Sequence, residues 1–461
     1  MPLKGAFIVP HPPLLIPEIG DGQEKKIQKT IDAYEKVAKK ISELKPDTIV
    51  LTTPHSIMYS DYIHISPGDG ATGNFREFGA VDVGMRLEYD TEFVYKLCNL
   101  AEENNISAGT LGGKKKSLDH GAMVPLYFVN KYYTDYKLVR ISISGLSFIE
   151  HYKFGKCIKN IAEESNKTVV FIASGDLSHM LKNEGPYGYR EEGHIFDREA
   201  TRAMKSGDFL QFLKFDEEFC NTAAECGLRS FIIMSGGLDG KKVVPELLSY
   251  EGPLGVGYAV AAYEIIGYDD NRHFDDIYIE NELQRIESLK NEEDDYVKLA
   301  RQTLESYIIN HKIVKSTNDL NPELINNKAG IFVSLKLDGQ LRGCIGTTEP
   351  TTNCIADEII QNAIRSGAED PRFYPVTEEE LPRIIYSVDV LEKPELIATI
   401  DDLDPKRYGV IVSKGRRSGL LLPNLEGINT SEEQVSIALK KAGIGHNESY
   451  TMERFEVVRH K

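Results

Sequence analysis

Short apolar runs alternate with segments of mixed polarity through the first half of the chain, and several of the runs stop at a proline or a glycine. Ala6-Phe7-Ile8-Val9 ends at Pro10-His11, and Ile49-Val50-Leu51-Thr52-Thr53 ends at Pro54-His55. Between them Ile27, Ile31, Tyr34, Val37, Ala38, Ile41 and Leu44 recur at steps of three and four, which predicts one helix face. A strand, helix, strand unit joins two parallel strands and brings their ends to the same side of a sheet. His11 and His55 are therefore expected at one carboxyl edge, where open α/β folds place their ligands. Leu138 to Ser144 and Val169 to Ser174 read as two more buried strands, each stopping at glycine. The second runs into Asp176-Leu177-Ser178-His179, and Leu118-Asp119-His120-Gly121 precedes the apolar segment Met123 to Phe128. Thr222 to Gly227 opens a helical run through Leu228, Phe231 and Ile232, with Glu225 in or beside its first turn, where a carboxylate suits the dipole. The pattern predicts an α/β domain over residues 1–268, with a mostly parallel central sheet flanked by helices.

Residues 269–295 change character, with Asp269, Asp270, Asp275, Asp276 and then Glu292-Glu293-Asp294-Asp295 at the far end, and 269–293 is taken as the linker. This stretch predicts a charged connector or an exposed helix, and the domain boundary is placed in it. Beyond it the pattern differs. A helix is expected from Tyr296 through Ile308, and Ile331 to Leu337 turns at Asp338-Gly339 into Gln340 to Gly346, a strong hairpin signal. A helix over Ile355 to Ile364, strands at Ile384 to Leu391 and Tyr408 to Ser413, and a last helix from Glu432 to Ala442 complete a second domain, α+β in class, over 294–461.

A length of 461 residues exceeds one ordinary domain. The net charge of −17 argues against a nucleic-acid or anionic-membrane partner, and Lys114-Lys115-Lys116 reads as a solvated turn. Six cysteines without a CxxC pair suit reduced thiols and a cytoplasmic location. Pro10, Pro12, Pro13 and Pro17 interrupt the apolar amino terminus, which fits a buried strand better than a secretion signal. No run approaches the roughly 18 apolar residues of a membrane span. Oligomers remain possible.

A lone histidine at a strand end is ordinarily a hydrogen-bonded loop residue. His11 and His55 together at one edge, with His120 and His179 also at loop junctions, point instead to a metal site. Two histidines and a carboxylate suit ferrous iron with coordination positions left open, and the same set could hold zinc and a water.

Taken in order, Ile8-Val9-Pro10-His11-Pro12-Pro13, Thr53-Pro54-His55, Leu118-Asp119-His120-Gly121, Ser174-Gly175-Asp176-Leu177-Ser178-His179 and Ala224-Glu225-Cys226-Gly227 resemble the catalytic subunit of class III (LigB-type) extradiol ring-cleavage dioxygenases, over about residues 4 to 268. The resemblance implies non-haem iron(II) held by His11, His55 and Glu225, with His179 as acid/base and His120 near a catechol-like substrate that reacts with dioxygen. The related Memo family has a cysteine in the region of the third carboxylate. Glu225 and Cys226 are adjacent, and a helix turns by about 100° per residue, so both are not expected to face one ion. Glu225 is favoured; Cys226 as ligand would bring forward zinc or a role outside oxygen chemistry.

The carboxyl half resembles the AMME-syndrome candidate region protein domain over about 294 to 461. The resemblance rests on Leu341-Arg342-Gly343-Cys344-Ile345-Gly346, supported by Asp370-Pro371-Arg372-Phe373 and Gly419-Leu420-Leu421-Leu422-Pro423. Cys344 reads either as a nucleophile or redox thiol with Arg342 as an anion anchor, or as a small packed residue beside glycines that permit a tight turn. The fusion is similar to two members of the AmmeMemoRadiSam system, which implies a separately encoded radical S-adenosylmethionine enzyme as partner. The resulting expectation is an iron(II)-dependent extradiol-type enzyme. A metal-binding maturation factor and a zinc hydrolase on the same scaffold are the alternatives.

Overall fold

The computed structural model describes residues 2–113, 117–316, 319–425 and 427–461. The lysine run at 114–116, expected as a solvated turn, lies outside the described residues. The chain forms two compact units, Met1–Ile279 and Glu280–Lys461. A helix, Phe274–Glu292, occupies most of the stretch expected as a connector, and the division falls inside it.

The first unit is built on a six-stranded sheet in the order Lys137–Ser142, Thr48–Thr53, Val169–Ser174, Leu3–Val9, Tyr258–Tyr268, Lys241–Glu251. The first four strands are parallel, and the last two join as antiparallel neighbours. Residues of Leu3–Val9 alternate between two separate cores, Ala6 and Ile8 on one face and Phe7 and Val9 on the other. Both faces of the sheet are therefore covered, which is why its central strands read as unbroken apolar runs. The helix Gln28–Leu44 lies against one face through Tyr34, Val37, Ala38 and Ile41, as its periodicity predicts.

The two histidine-bearing strands end at the same edge but are not neighbours. Val169–Ser174 lies between them and pairs with both. Ile8 and Thr52 each stand opposite Ala173, so three chains leave the sheet at one level. The Lys241–Glu251 strand has no counterpart in the sequence reading. It contains Pro245, which lacks a donor for a ladder, and it sits at the sheet edge where that lack is tolerated.

The second unit has two antiparallel four-stranded sheets, ordered Gln340–Gly346, Gly330–Leu337, Ile384–Leu391, Val457–His460 and Glu395–Ile397, Thr451–Phe455, Gly409–Lys414, Arg417–Leu421. Asp338 and Gly339 both have positive φ, and Leu337 pairs with Gln340, which is the two-residue hairpin expected of Asp-Gly. Gly343 and Gly346, read above as permitting a turn, lie within the strand Gln340–Gly346 instead. A Cβ on Gly343 would stand 2.1 Å from the Ser366 carbonyl oxygen, so the bare backbone lets the helix Ile355–Ala368 lie close on the sheet. Among the described residues no helix is long and apolar enough to cross a membrane.

Gly343→Ala is expected to force that helix outward and to destabilise the second unit by about 1–3 kcal/mol, read as a lowered urea midpoint.

Candidate metal centre

Three side chains meet at the carboxyl edge of the first sheet. His11 Nε2 and His55 Nε2 are 2.8 Å apart, and Cys226 Sγ is 3.7 Å from His11 Nε2. The ligand atoms of His11, His55 and Cys226 all lie within 4.8 Å of one another, as do those of Asp176, His179 and Cys226.

The proton positions at His11 follow from its neighbours. Ser174, the last residue of its strand, donates its one hydroxyl hydrogen to the Gly121 carbonyl at 2.6 Å. At its 3.0 Å contact with His11 Nδ1 the Ser174 oxygen must therefore accept, so Nδ1 carries the ring hydrogen. His11 Nε2 is left with a lone pair directed at His55 and Cys226, the arrangement a metal ligand requires. Burial holds His11 well below its ordinary pKa, and His55, His120 and His179 push the same way. It is neutral at pH 7 and open to a cation.

Cys226 reaches this edge through a backbone contact. A Cβ on Gly175 would stand 2.1 Å from Gly227 Cα, so only paired glycines let the two chains lie this close. Asp176 N–H then donates to Cys226 Sγ at 3.3 Å. Burial, with Asp176 and Glu225 nearby, pushes the thiol well above its usual pKa. A bound cation acts in the opposite direction and strips the proton from a coordinating thiol.

The expected choice of Glu225 over Cys226 is not what the geometry gives. The helix Glu217–Ala223 stops at Ala224, whose φ of +50° reverses the chain before Leu228–Gly237 begins. Glu225 then points at the start of the next helix and accepts the Leu228 N–H at 2.6 Å. It acts as that helix's cap, while Cys226 faces the histidines.

His120 is the first residue of the helix His120–Asn130, capped by Asp119. Its ring stacks on His55 at 4.2 Å and meets Phe78 edge-on at 5.4 Å. His179 Nδ1 donates to the Ala224 carbonyl at 2.5 Å, which leaves Nε2 as the basic nitrogen, and burial lowers its pKa. Its turn is held by Asp197, which accepts the Ser178 N–H and the Tyr250 hydroxyl, each at 2.8 Å.

Asp176 lies within the motif Ser174 to His179, whose pattern alone gives it no role. Its Oδ1 accepts the His11 backbone N–H at 2.8 Å, and burial pushes its carboxyl up to about 7. The available signal was its place directly after a strand-ending glycine at the same edge as His11.

In the second unit Cys344 lines a cleft and accepts a hydrogen bond from Ser334 Oγ at 3.2 Å. Arg342, expected as an anion anchor beside it, is engaged elsewhere. Its guanidinium binds Glu380 through Nε at 2.7 Å and Nη2 at 3.0 Å, and donates to the Tyr374 carbonyl. The cause is a register shift: Leu335 stands opposite Gly343 and Lys336 opposite Leu341, which leaves Arg342 as a bulged residue aimed out of the row.

Residues 5–261 match the family described as catalytic LigB subunit of aromatic ring-opening dioxygenase, and residues 297–460 match AMMECR1. A protein of Clostridium acetobutylicum is 47% identical over 474 residues, covering 100% of both chains. One from Thermotoga maritima is 48% identical over 168 residues, 36% of this chain and 97% of its own. Among solved structures, an uncharacterised Pyrococcus horikoshii protein is 34% identical, covering 36% of this chain and 88% of its own with a TM-score of 0.34. An uncharacterised Escherichia coli K12 protein is 14% identical, covering 56% and 99% with a TM-score of 0.38.

Asp197 offers a pH test of the scaffold behind His179. Burial pushes its carboxyl up to about 7, so between about pH 4 and pH 7 the folded chain keeps a proton that the unfolded chain has lost. Its contribution therefore falls as pH rises through that window. Asp197→Asn is expected to remove that slope, so that the variant gains on the parent by about 2 kcal/mol between about pH 5 and about pH 8 in urea melts.

Proposed function

Because the chain belongs to the family of catalytic LigB subunits of aromatic ring-opening dioxygenases and carries an AMMECR1 domain behind that unit, we propose that its first unit is a metal-dependent oxidoreductase acting on a small catechol-like compound and dioxygen. The observation that carries this reading is the meeting of His11 Nε2, His55 Nε2 and Cys226 Sγ within 4.8 Å of one another. These three would hold one divalent ion, with Cys226 in the position expected for Glu225. Ferrous iron bound there would supply a redox-active Lewis acid with open coordination positions.

The remaining work falls to the chain's own side chains. His179, neutral and with Nε2 unprotonated, is suited to take a proton from a substrate hydroxyl at neutral pH. The rings of His120 and Phe78 form an aromatic wall beside His55 against which a flat substrate can lie.

Cys226 itself favours a second reading. A thiolate ligand suits zinc as well as iron, and a zinc site has no oxygen chemistry. On this reading the unit is a zinc hydrolase or a metal-holding maturation factor for a separate radical S-adenosylmethionine enzyme.

Metal analysis after anaerobic loading with iron(II) or zinc, followed by oxygen uptake over a catechol panel, separates the two. His11→Ala and His55→Ala are expected to lower bound metal at least about tenfold. Cys226→Ala should lose more metal than Glu225→Ala. His179→Ala should keep most of its metal and lose turnover by about 10²–10⁴. An iron-loaded protein that consumes no oxygen with any catechol would remove the oxidoreductase reading, and preferential zinc retention with oxygen-independent activity would favour the second.

A further inference from the structure

The second unit contains a cleft of about 990 Å³, large enough for a metabolite. Its floor is one face of the sheet that contains Gly330–Leu337. Cys344 and Ser387 stand opposite Ser334 from either side, Asp389 stands opposite Phe332, and Arg459 stands opposite Asp389. Residues two apart on a strand share a face, so a thiol, two hydroxyls, a carboxylate and a guanidinium fall on this one. The other face carries Val333 and Leu335 into the hydrophobic core.

Cations surround the thiol in an ordered way. Arg459 binds Asp389 through Nε at 2.6 Å and Nη2 at 2.9 Å. Arg372, from the loop after the helix Ile355–Ala368, binds Asp370 in the same way at 2.9 and 2.7 Å. Asp370 also accepts the Cys344 backbone N–H at 2.9 Å, and Arg372 donates to the Cys344 carbonyl at 3.1 Å. The two aspartate side chains are only 2% and 3% exposed, so each fixes its arginine like a hinge pin. Both arginines spend their Nε and Nη2 edge on a carboxylate, which fixes the plane of each guanidinium, and Arg372 also reaches the Cys344 thiol. Lys441, on the last turn of the helix Ser431–Ala442, also lines the cleft and donates to the Leu420 carbonyl. It has no acidic partner among the described residues.

Around the thiol three cations thus meet two carboxylates that are already engaged, and elsewhere in the lining Arg285, Lys290, Lys336 and Lys461 outnumber Glu293, so the cleft keeps an excess of positive charge. Guanidiniums held in a fixed orientation are the usual means of holding a planar or tetrahedral oxyanion. Burial raises the Cys344 pKa, so the thiol is neutral and sets no charge against an incoming anion.

We infer that this cleft binds a small molecule bearing a carboxylate or phosphate group, clasped by Arg372, Arg459 and Lys441, with the body of the molecule lying over the Cys344 thiol. Arg342, set apart by its bulge, takes no part.

The test is the rate at which iodoacetamide alkylates Cys344 in the full-length protein, followed by peptide mass mapping. Inorganic phosphate and citrate serve as probes, each compared with potassium chloride at matched ionic strength. The expected result is saturable protection of Cys344, reaching at least about fivefold with one probe or both. Protection by phosphate alone assigns a phosphoryl ligand, and protection by citrate alone assigns a carboxylate. Lys441→Gln and Arg372→Gln should each weaken the protection, whereas Arg342→Gln should leave it intact. Lys441 is exposed and makes no side-chain pair, so its variant folds independently of the outcome. Equal alkylation rates in probe and chloride, or protection unchanged in both Lys441→Gln and Arg372→Gln, would overturn the inference.

Discussion

The candidate metal centre depends on a register. Ile8, Ala173 and Thr52 stand level across three parallel strands, and the chains that leave them must turn at the same height. Two of those turns carry His11 and His55, and the third carries Gly175 and Asp176. A parallel sheet buried on both faces has little freedom to slip, because a shift of one residue would exchange its two cores. The contact between Gly175 and Gly227 then adds the last piece. Two backbones without side chains approach closely enough for a cysteine from far along the chain to complete what the strands began.

Much of this was legible in the sequence. Apolar runs ending at Pro10, Pro54 and Gly175 show where strands stop, and the crossover rule sends them to a common rim. Asp338-Gly339 announces its hairpin through the two positive φ angles that such a turn needs. What stayed hidden shares a physical character. Ala224 adopts a left-handed conformation with no glycine to signal it, and that single backbone choice decides whether Glu225 or Cys226 faces the histidines. The bulge at Arg342 likewise carries no mark of its own, so strict alternation placed its side chain in a row from which the backbone removes it. The edge strand with Pro245 was missed because its mixed polarity and its proline both argue against a strand unless the neighbour on one side is known to be absent.

The buried carboxylates around the two sites are used differently. In the second, Asp370 and Asp389 each meet a guanidinium in paired hydrogen bonds, and Asp370 is drawn down to about 2. In the first, Asp176, Asp197 and Glu225 sit where burial outweighs their hydrogen bonds, and each is pushed up to about 7. One unit thus keeps fixed charges to orient cations. The first site keeps carboxyl groups poised to gain or lose protons, Asp176 among them directly against the neutral His11.

Ser174 has a consequence that reaches past its own hydrogen bonds. By committing its hydroxyl hydrogen to Gly121 it decides the tautomer of His11, so no ring would have to be rebuilt for an ion to bind there. What an ion bound at this candidate site would still have to displace is hydrogen, from the thiol and from the line between the two imidazoles. Uptake of an ion there would be an exchange of one kind of cation for another, with acidity in the surroundings competing for the same lone pairs.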